Sequence, residues 1–340
     1  YDIPAVEVDI KCLYTNTPPV DAYRGAGRPE ASYAIERTID RVAHELGVDP
    51  AEVRRRNFLT EDQIPRRQPT GAMIDSGRYH HTFDDALARA GYEEFRKDQA
   101  KTRDADELIG IGIANYTESC GIGPGQVQKL VGFDRGGYES ARVRMTSDGR
   151  AVVFSGSHSH GQGHETTFAQ VVADRFGVPL DSINIVHGDT DKVQFGMGTY
   201  GSRSGPVGMS AIVKALDKVE AKVKKIGAHL LEEPEENITI EDGQVKATGT
   251  NKALGWHEIG LAAYTAHNLP PDMEPGLKEG AFYDPLNFTF PMGCFICEVE
   301  VDPDTGKTEI LKFVASDDFG VIINPMIVEG QVHGGIVQGV

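Results

Sequence analysis

No stretch of this 340-residue sequence approaches the roughly 20 consecutive apolar residues that a membrane-spanning helix needs, and the opening YDIPAVEVDIKC lacks the basic-then-apolar layout of a signal peptide. A soluble, cytoplasmic protein is expected. Cysteine is scarce: Cys12, Cys120, Cys294 and Cys297 are too few for a disulfide framework at this length, which points to a reducing compartment. Cys294 and Cys297 have C-x-x-C spacing but lie in FTFPMGCFICEVEVD, which alternates like a strand. Positions i and i+3 of a strand point to opposite faces, so two strand cysteines are expected rather than a metal or redox pair. Basic charge is also short. With 34 Lys and Arg against 51 Asp and Glu, the formal net charge of -17 offers a nucleic-acid backbone or an anionic membrane no overall attraction. The chain begins at Tyr1 without a methionine and stops at Val340 after a glycine-rich apolar run, and both ends read as interior positions of a longer polypeptide.

What is present divides into two domains of ordinary size. Residues 5–14 alternate and predict a strand, followed by the loop TNTPPVDAYRGAG. Pro29 then opens a helix whose apolar positions recur at helical spacing until Gly47, and Asp49-Pro50-Ala51-Glu52 caps a second helix running to about Asn57. One more short helix is predicted near 82–98. The charged run KDQAKTRDADE places the boundary at 98–107, as a linker between a first domain over 1–97 and a second over 108–340. Beyond it, ARVRM and AVVFS form a hairpin around Asp148-Gly149, Thr166–Phe176 is helical with Gly177 as its stop, and SINIV is a strand. A long amphipathic helix spans Met209 to Leu230, and two further hairpins turn at Asp242-Gly243 and at Asp302 to Gly306. The tail turns at Asn324-Pro325 and starts a helix.

The stretch GSHSHGQGHETTFAQ, residues 156–170, has competing explanations. His158, His160, His164 and Glu165 offer zinc-ligand chemistry, but His164 follows two glycines and the spacing is not that of two histidines on one helix. Gly161-Gln162-Gly163 offers close backbone approach, an amide that donates and accepts, and a helix N-terminus that favours anions. A plain structural turn is the third explanation. Ala22-Tyr23-Arg24-Gly25 and Gly198-Thr199-Tyr200-Gly201-Ser202-Arg203 have the same glycine-rich, helix-preceding character, each with a guanidinium. Three such loops favour a large phosphate-bearing cofactor.

Those loops also carry a resemblance. AYRGAGRPEASYAIERTIDRVAHELGVDPAEVRRRNF, GSHSHGQGHETTFAQVVADRFGVPLDSINIVHGDTD, FGMGTYGSRS and NPMIVEGQVHGGIVQG together resemble the molybdenum-binding large subunit of the xanthine dehydrogenase and aldehyde oxidase family, the molybdenum hydroxylases. The resemblance implies an α+β fold: two molybdopterin-binding domains of mixed sheets and helices, with the cofactor between them and the second incomplete at its C-terminal end. It implies molybdopterin cytosine dinucleotide with Mo held through the pterin. Gly161, Gln162 and Gly163 would contact the dinucleotide or pterin, Thr199, Tyr200, Gly201, Ser202 and Arg203 the phosphates, Gln331 the pterin, and Ala22, Tyr23, Arg24 and Gly25 the metal's surroundings, with Arg24 nearest the chemistry. The histidines become local hydrogen-bonding groups.

The implied reaction hydroxylates an aldehyde or an N-heteroaromatic with oxygen from water. Electrons then pass to 2Fe-2S clusters and FAD on partner chains, an iron-sulfur small subunit and an FAD-binding medium subunit, in a dimer of heteromers. The family's general-base glutamate follows a Gly-x-Gly motif downstream of the NPMIVEGQVHGGIVQG segment. No such segment occurs here, so no glutamate of this chain takes that role, and a second chain completing the large subunit is a further expected partner. Copper-dependent carbon monoxide dehydrogenases of the family carry a cysteine where this chain has Gly25, which favours a hydroxylase over a carbon monoxide dehydrogenase-like subunit lacking that cysteine. A non-catalytic scaffold and a zinc hydrolase are the remaining alternatives.

Overall fold

The computed structural model describes residues 1–102, 108–130 and 132–340. It is α+β, with helices packed on mixed and antiparallel sheets. Contacts group the chain into two compact units that do not follow chain order: Tyr1–Cys120 with Phe288–Gly320, and Gly121–Asn287 with Val321–Val340. Part of the predicted linker, 103–107, lies outside the described residues, and 98–102 continue the helix Tyr92–Thr102.

The first unit is built on an antiparallel sheet ordered Thr308–Asp318, Met292–Val301, Leu108–Thr117. Its central strand pairs residue for residue with Leu108–Thr117, which returns a distant segment to this unit. Phe83, Ala86 and Ala90 of the helix Tyr79–Ala90 pack against Ile113, Cys294 and Ile296. The predicted helix near 82–98 is two helices, because Gly91 takes a left-handed conformation (φ 73°) between Tyr79–Ala90 and Tyr92–Thr102. Cys294 faces the core, where burial pushes its thiol up to about 12, while Cys297 is half-buried and also free. The helices Arg28–Leu46 and Pro50–Asn57 begin and end as expected, with the Asp49 carboxylate accepting from the Ala51 amide at 2.8 Å.

The strand expected over 5–14 does not form. A strand is held by a ladder of hydrogen bonds to a neighbour, and among the described residues none pairs with this segment, so Val6, Val8 and Ile10 stay exposed.

The second unit has a four-stranded mixed sheet ordered Leu277–Tyr283, Glu139–Met145, Ala151–Ser155, Ile183–Val186. The first three strands are antiparallel, and Ala151–Ser155 pairs parallel with Ile183–Val186 through the crossover helix His164–Phe176. The helix Ser210–Leu231 covers one face, burying Ala211, Ile212, Ala215, Leu216, Val219, Val223 and Ile226 at helical spacing. A smaller sheet, Ile238–Glu241, Gln244–Ala247 and Ala253–Gly255, and the helix Trp256–Thr265 extend this core. The Trp256 indole N–H donates to the Phe176 carbonyl at 2.9 Å. Asn324 caps the final helix, Pro325–Gly339, by accepting from the Ile327 amide.

Candidate functional site

Two parallel neighbouring strands present the loops that follow them at the same edge of the sheet. Ligands of open sheets gather at the carboxyl ends of parallel strands. Residues 156–163 leave the end of Ala151–Ser155, and residues 187–203 leave the end of Ile183–Val186. The structure brings them together: the Thr199 hydroxyl donates to the His158 carbonyl at 2.5 Å, and Gly156 lies against Gly196 so closely that a Cβ on Gly156 would sit 2.5 Å from the Gly196 Cα.

Within the first loop, Gly161 (φ 98°) and Gly163 (φ 77°) hold left-handed backbone, and a Cβ on Gly161 would meet nothing within 4 Å. Gly163 is the N-cap of the helix His164–Phe176, with no side-chain capping hydrogen bond, so the positive end of the helix dipole faces the loop. The Gln162 side-chain carbonyl accepts from the His160 amide and so fixes the loop's shape. Gln331 stands one helical turn beyond Ile327, the residue that a Cβ on Gly163 would strike, which puts Gln331 on the same helix face.

Arg203 behaves differently from the sequence expectation. Its guanidinium is buried and ion-paired: Nη1 donates to Glu139 Oε2 at 2.6 Å and to the Gly198 carbonyl at 2.8 Å, and Nη2 donates to the carbonyls of Gly137 at 3.1 Å and Tyr138 at 2.8 Å. With four donors so committed, the side chain holds the loop from beneath. The Thr199 hydroxyl is engaged as well, with the His158 carbonyl and, at 3.1 Å, the Ser204 hydroxyl. Sequence reasoning missed Glu139, which accepts from the Ser140 amide at 2.9 Å, the Ser157 hydroxyl at 3.3 Å and the Met197 amide at 3.3 Å. Its only sequence signal was an acid opening an otherwise apolar-alternating strand.

The histidines do not converge. His158 and His160 contact each other, Nε2 to Nε2 at 2.7 Å, while the His164 ring stacks on Phe168 with centroids 5.0 Å apart. Burial lowers the His164 pKa, and its Nδ1 is buried without a partner. His187 pairs with Glu165 at 2.9 Å; the Glu165 carboxylate is held below the usual range, chiefly by its own backbone N–H and further by His187. Among the described residues no group of three His, Cys, Asp or Glu could hold a metal ion.

In the first unit, exposed Ala22 and Tyr23 lead into a turn over 24–27 in which Gly25 is half-buried, with the Ala26 amide donating to the Tyr23 carbonyl at 2.7 Å and the Arg28 amide to the Gly25 carbonyl at 3.0 Å. Gly25 has φ 97°, and a Cβ there would lie 2.7 Å from the Pro29 ring. Arg28 braces the turn through the Ser119 carbonyl at 2.9 Å, a contact the sequence did not announce.

The Molybdopterin cofactor-binding domain family matches residues 85–340, and a second family of the same description matches residues 1–58. The chain is 41% identical to the carbon monoxide dehydrogenase large chain of Hydrogenophaga pseudoflava, covering 100% of this chain and 42% of that protein. It is 35% identical to the nicotine 6-hydroxylase large subunit of Paenarthrobacter nicotinovorans, again over 100% of this chain and 42% of the relative. The solved structure of reconstituted CO dehydrogenase from Oligotropha carboxidovorans superposes with a TM-score of 0.87 at 39% identity, covering 93% of this chain and 40% of that one. The chain thus spans well under half the length of these relatives.

Proposed function

Because the chain belongs to the molybdopterin cofactor-binding family, the molybdenum-binding large subunits of xanthine dehydrogenase type, we propose that it is the cofactor-holding part of a hydroxylase acting on an aldehyde or an N-heteroaromatic. The observation that carries this is the pairing of two glycine-rich loops, 156–163 and 198–203, at the carboxyl ends of two parallel strands. The residues fit the group: left-handed glycines leave space at Gly161, the uncapped helix after Gly163 faces an anion, and Thr199 and Ser202 carry hydroxyls. Gly161–Gly163 and Gln331 would take the pterin and dinucleotide, and Thr199–Ser202 the phosphates, with Arg203 setting their loop rather than touching the ligand. Ala22–Gly25 is assigned to the metal's surroundings, with Arg24 orienting a polar substrate group.

When bound, the group supplies a two-electron redox centre and a Lewis acid. Overall, a substrate C–H and water give C–OH, two protons and two electrons. The protein's residues bind and orient; the electrons leave to an iron-sulfur small subunit with 2Fe-2S clusters and an FAD-binding medium subunit, in a cytoplasmic dimer of heteromers, and the general base is supplied outside these residues. The cytosine dinucleotide form of the cofactor is part of the same proposal. Among the described residues no helix is long and apolar enough to cross a membrane.

A carbon monoxide dehydrogenase-like role is the second reading, favoured by the 41% identity to such a large chain. Gly25 weighs against it: at φ 97°, with any Cβ falling 2.7 Å from the Pro29 ring, the position disfavours the copper-binding cysteine in conformation as well as identity. The test is to supply the purified complex with aldehydes and N-heteroaromatics in heavy-oxygen water. Label in a hydroxylated product supports the hydroxylase, and oxidation of carbon monoxide alone would replace it by the second reading.

A further inference from the structure

We infer that the Glu139–Arg203 pair is a positioning latch that locks the two cofactor loops together, so that neither holds its shape without the other. The argument is one of connectivity. The Glu139 carboxylate takes the Ser157 hydroxyl of the first loop and the Met197 amide of the second. Arg203 closes the circle by gripping the Gly198 carbonyl and the carbonyls of Gly137 and Tyr138, next to Glu139 itself. Both side chains are almost wholly buried, at 0% and 1% exposure, so each charge depends on the other.

Three glycines make the closeness sterically available. A Cβ on Gly156 would lie 2.0 Å from Glu139 Oε1, one on Gly196 2.5 Å from the Gly156 carbonyl, and one on Gly208 2.5 Å from the Ser157 hydroxyl. Arginine is required because a planar fork reaches four acceptors at fixed angles, whereas a lysine ammonium has three donors on one atom. Glu139 and Arg203 are themselves assigned no ligand contact, although the Arg203 guanidinium also lies over the Tyr200 ring, 5.7 Å from its centroid, and so braces the second loop there too. The pair acts through Ser157, Met197 and Gly198, and so preorganises the cradle before cofactor arrives.

This deepens the cofactor reading and rests on it only for the molybdenum measurement. The test uses the native complex carrying Glu139→Gln or Arg203→Lys, with two readouts: molybdenum per chain, and amide hydrogen exchange over 156–163 and 196–204 with the helix 210–231 as control. In both variants exchange should rise together in the two loops while the control helix is unchanged. Molybdenum affinity should fall about 10–100-fold, as for other residues that support a ligand from behind. A rise in one loop only, a rise that includes the control helix, or an Arg203→Lys protein indistinguishable from wild type would overturn the latch. The two claims separate: loops opening together in a complex whose wild type holds no molybdenum would support the latch and sink the cofactor reading. Loops that stay closed in a molybdenum-loaded complex would do the reverse.

Discussion

Gly163 and Ile327 share one contact: a Cβ placed on Gly163 would lie 2.8 Å from the Ile327 Cδ1, so the turn that opens one helix is packed against the first turn of another. Gly163→Ala therefore meets two penalties, left-handed backbone strain of about 1–2 kcal/mol and displacement of Ile327. Gly161→Ala meets the strain alone, since nothing lies within 4 Å. Molybdenum retention should fall more in Gly163→Ala than in Gly161→Ala; equal retention in both would remove the Ile327 contact from the cradle.

Gln162 shapes its loop through the His160 amide. Replacing it with alanine removes that acceptor, whose exposed His160 partner can turn to water, and removes the amide proposed to meet the cofactor, at about 1–3 kcal/mol of cofactor affinity for a ligand group left unpaired. Reduced molybdenum per chain at unchanged melting temperature is expected, and full occupancy would count against Gln162 as a cofactor contact.

The buried His164 gives a pH signature. Burial lowers its folded pKa below the ordinary 6.5, so between the two values the unfolded chain binds the proton and the folded one does not. Stability contributed by this group is full above 6.5 and is lost as pH falls toward the folded value, at no more than about 1.4 kcal/mol per pH unit. Urea midpoints compared over this window should fall on acidification in the wild type and less steeply in His164→Gln. Parallel slopes would show that another group is responsible.

In the first unit, the Arg54 guanidinium has 0% side-chain exposure and donates to Glu36 Oε2 at 2.8 Å and to the Ile113 carbonyl at 3.0 Å, with Asp40 at 2.9 Å. Removing one partner of a buried pair strands the other's charge, so Arg54→Ala should cost about 3–5 kcal/mol in chemical denaturation. A loss below about 1 kcal/mol would mean the site is solvated like a surface pair.

Local signals were legible and distant ones were not. Asp49-Pro50, the turns at Asp148-Gly149 and Asp242-Gly243, and the stop at Gly177 were readable because each depends on neighbours within a few residues. The alternation at 5–14 misled, since pattern alone supplies no partner strand, and the helix break at Gly91 turned on a single left-handed residue. The grouping of residues 288–320 with the first unit was invisible because it rests on strand pairing across more than half the chain. In the candidate site, the glycine loops were recognisable, but Arg203 was not separable from a phosphate ligand until Glu139 was found beside it, 64 positions earlier in sequence.

Elemental analysis of the complex purified from its native host tests the central claim most directly. The account predicts molybdenum near one per copy of this chain, several irons on the partner subunits, and no copper. Zinc near one with no molybdenum would return the histidines of 158–164 to the centre, and stoichiometric copper would contradict the hydroxylase assignment made from Gly25.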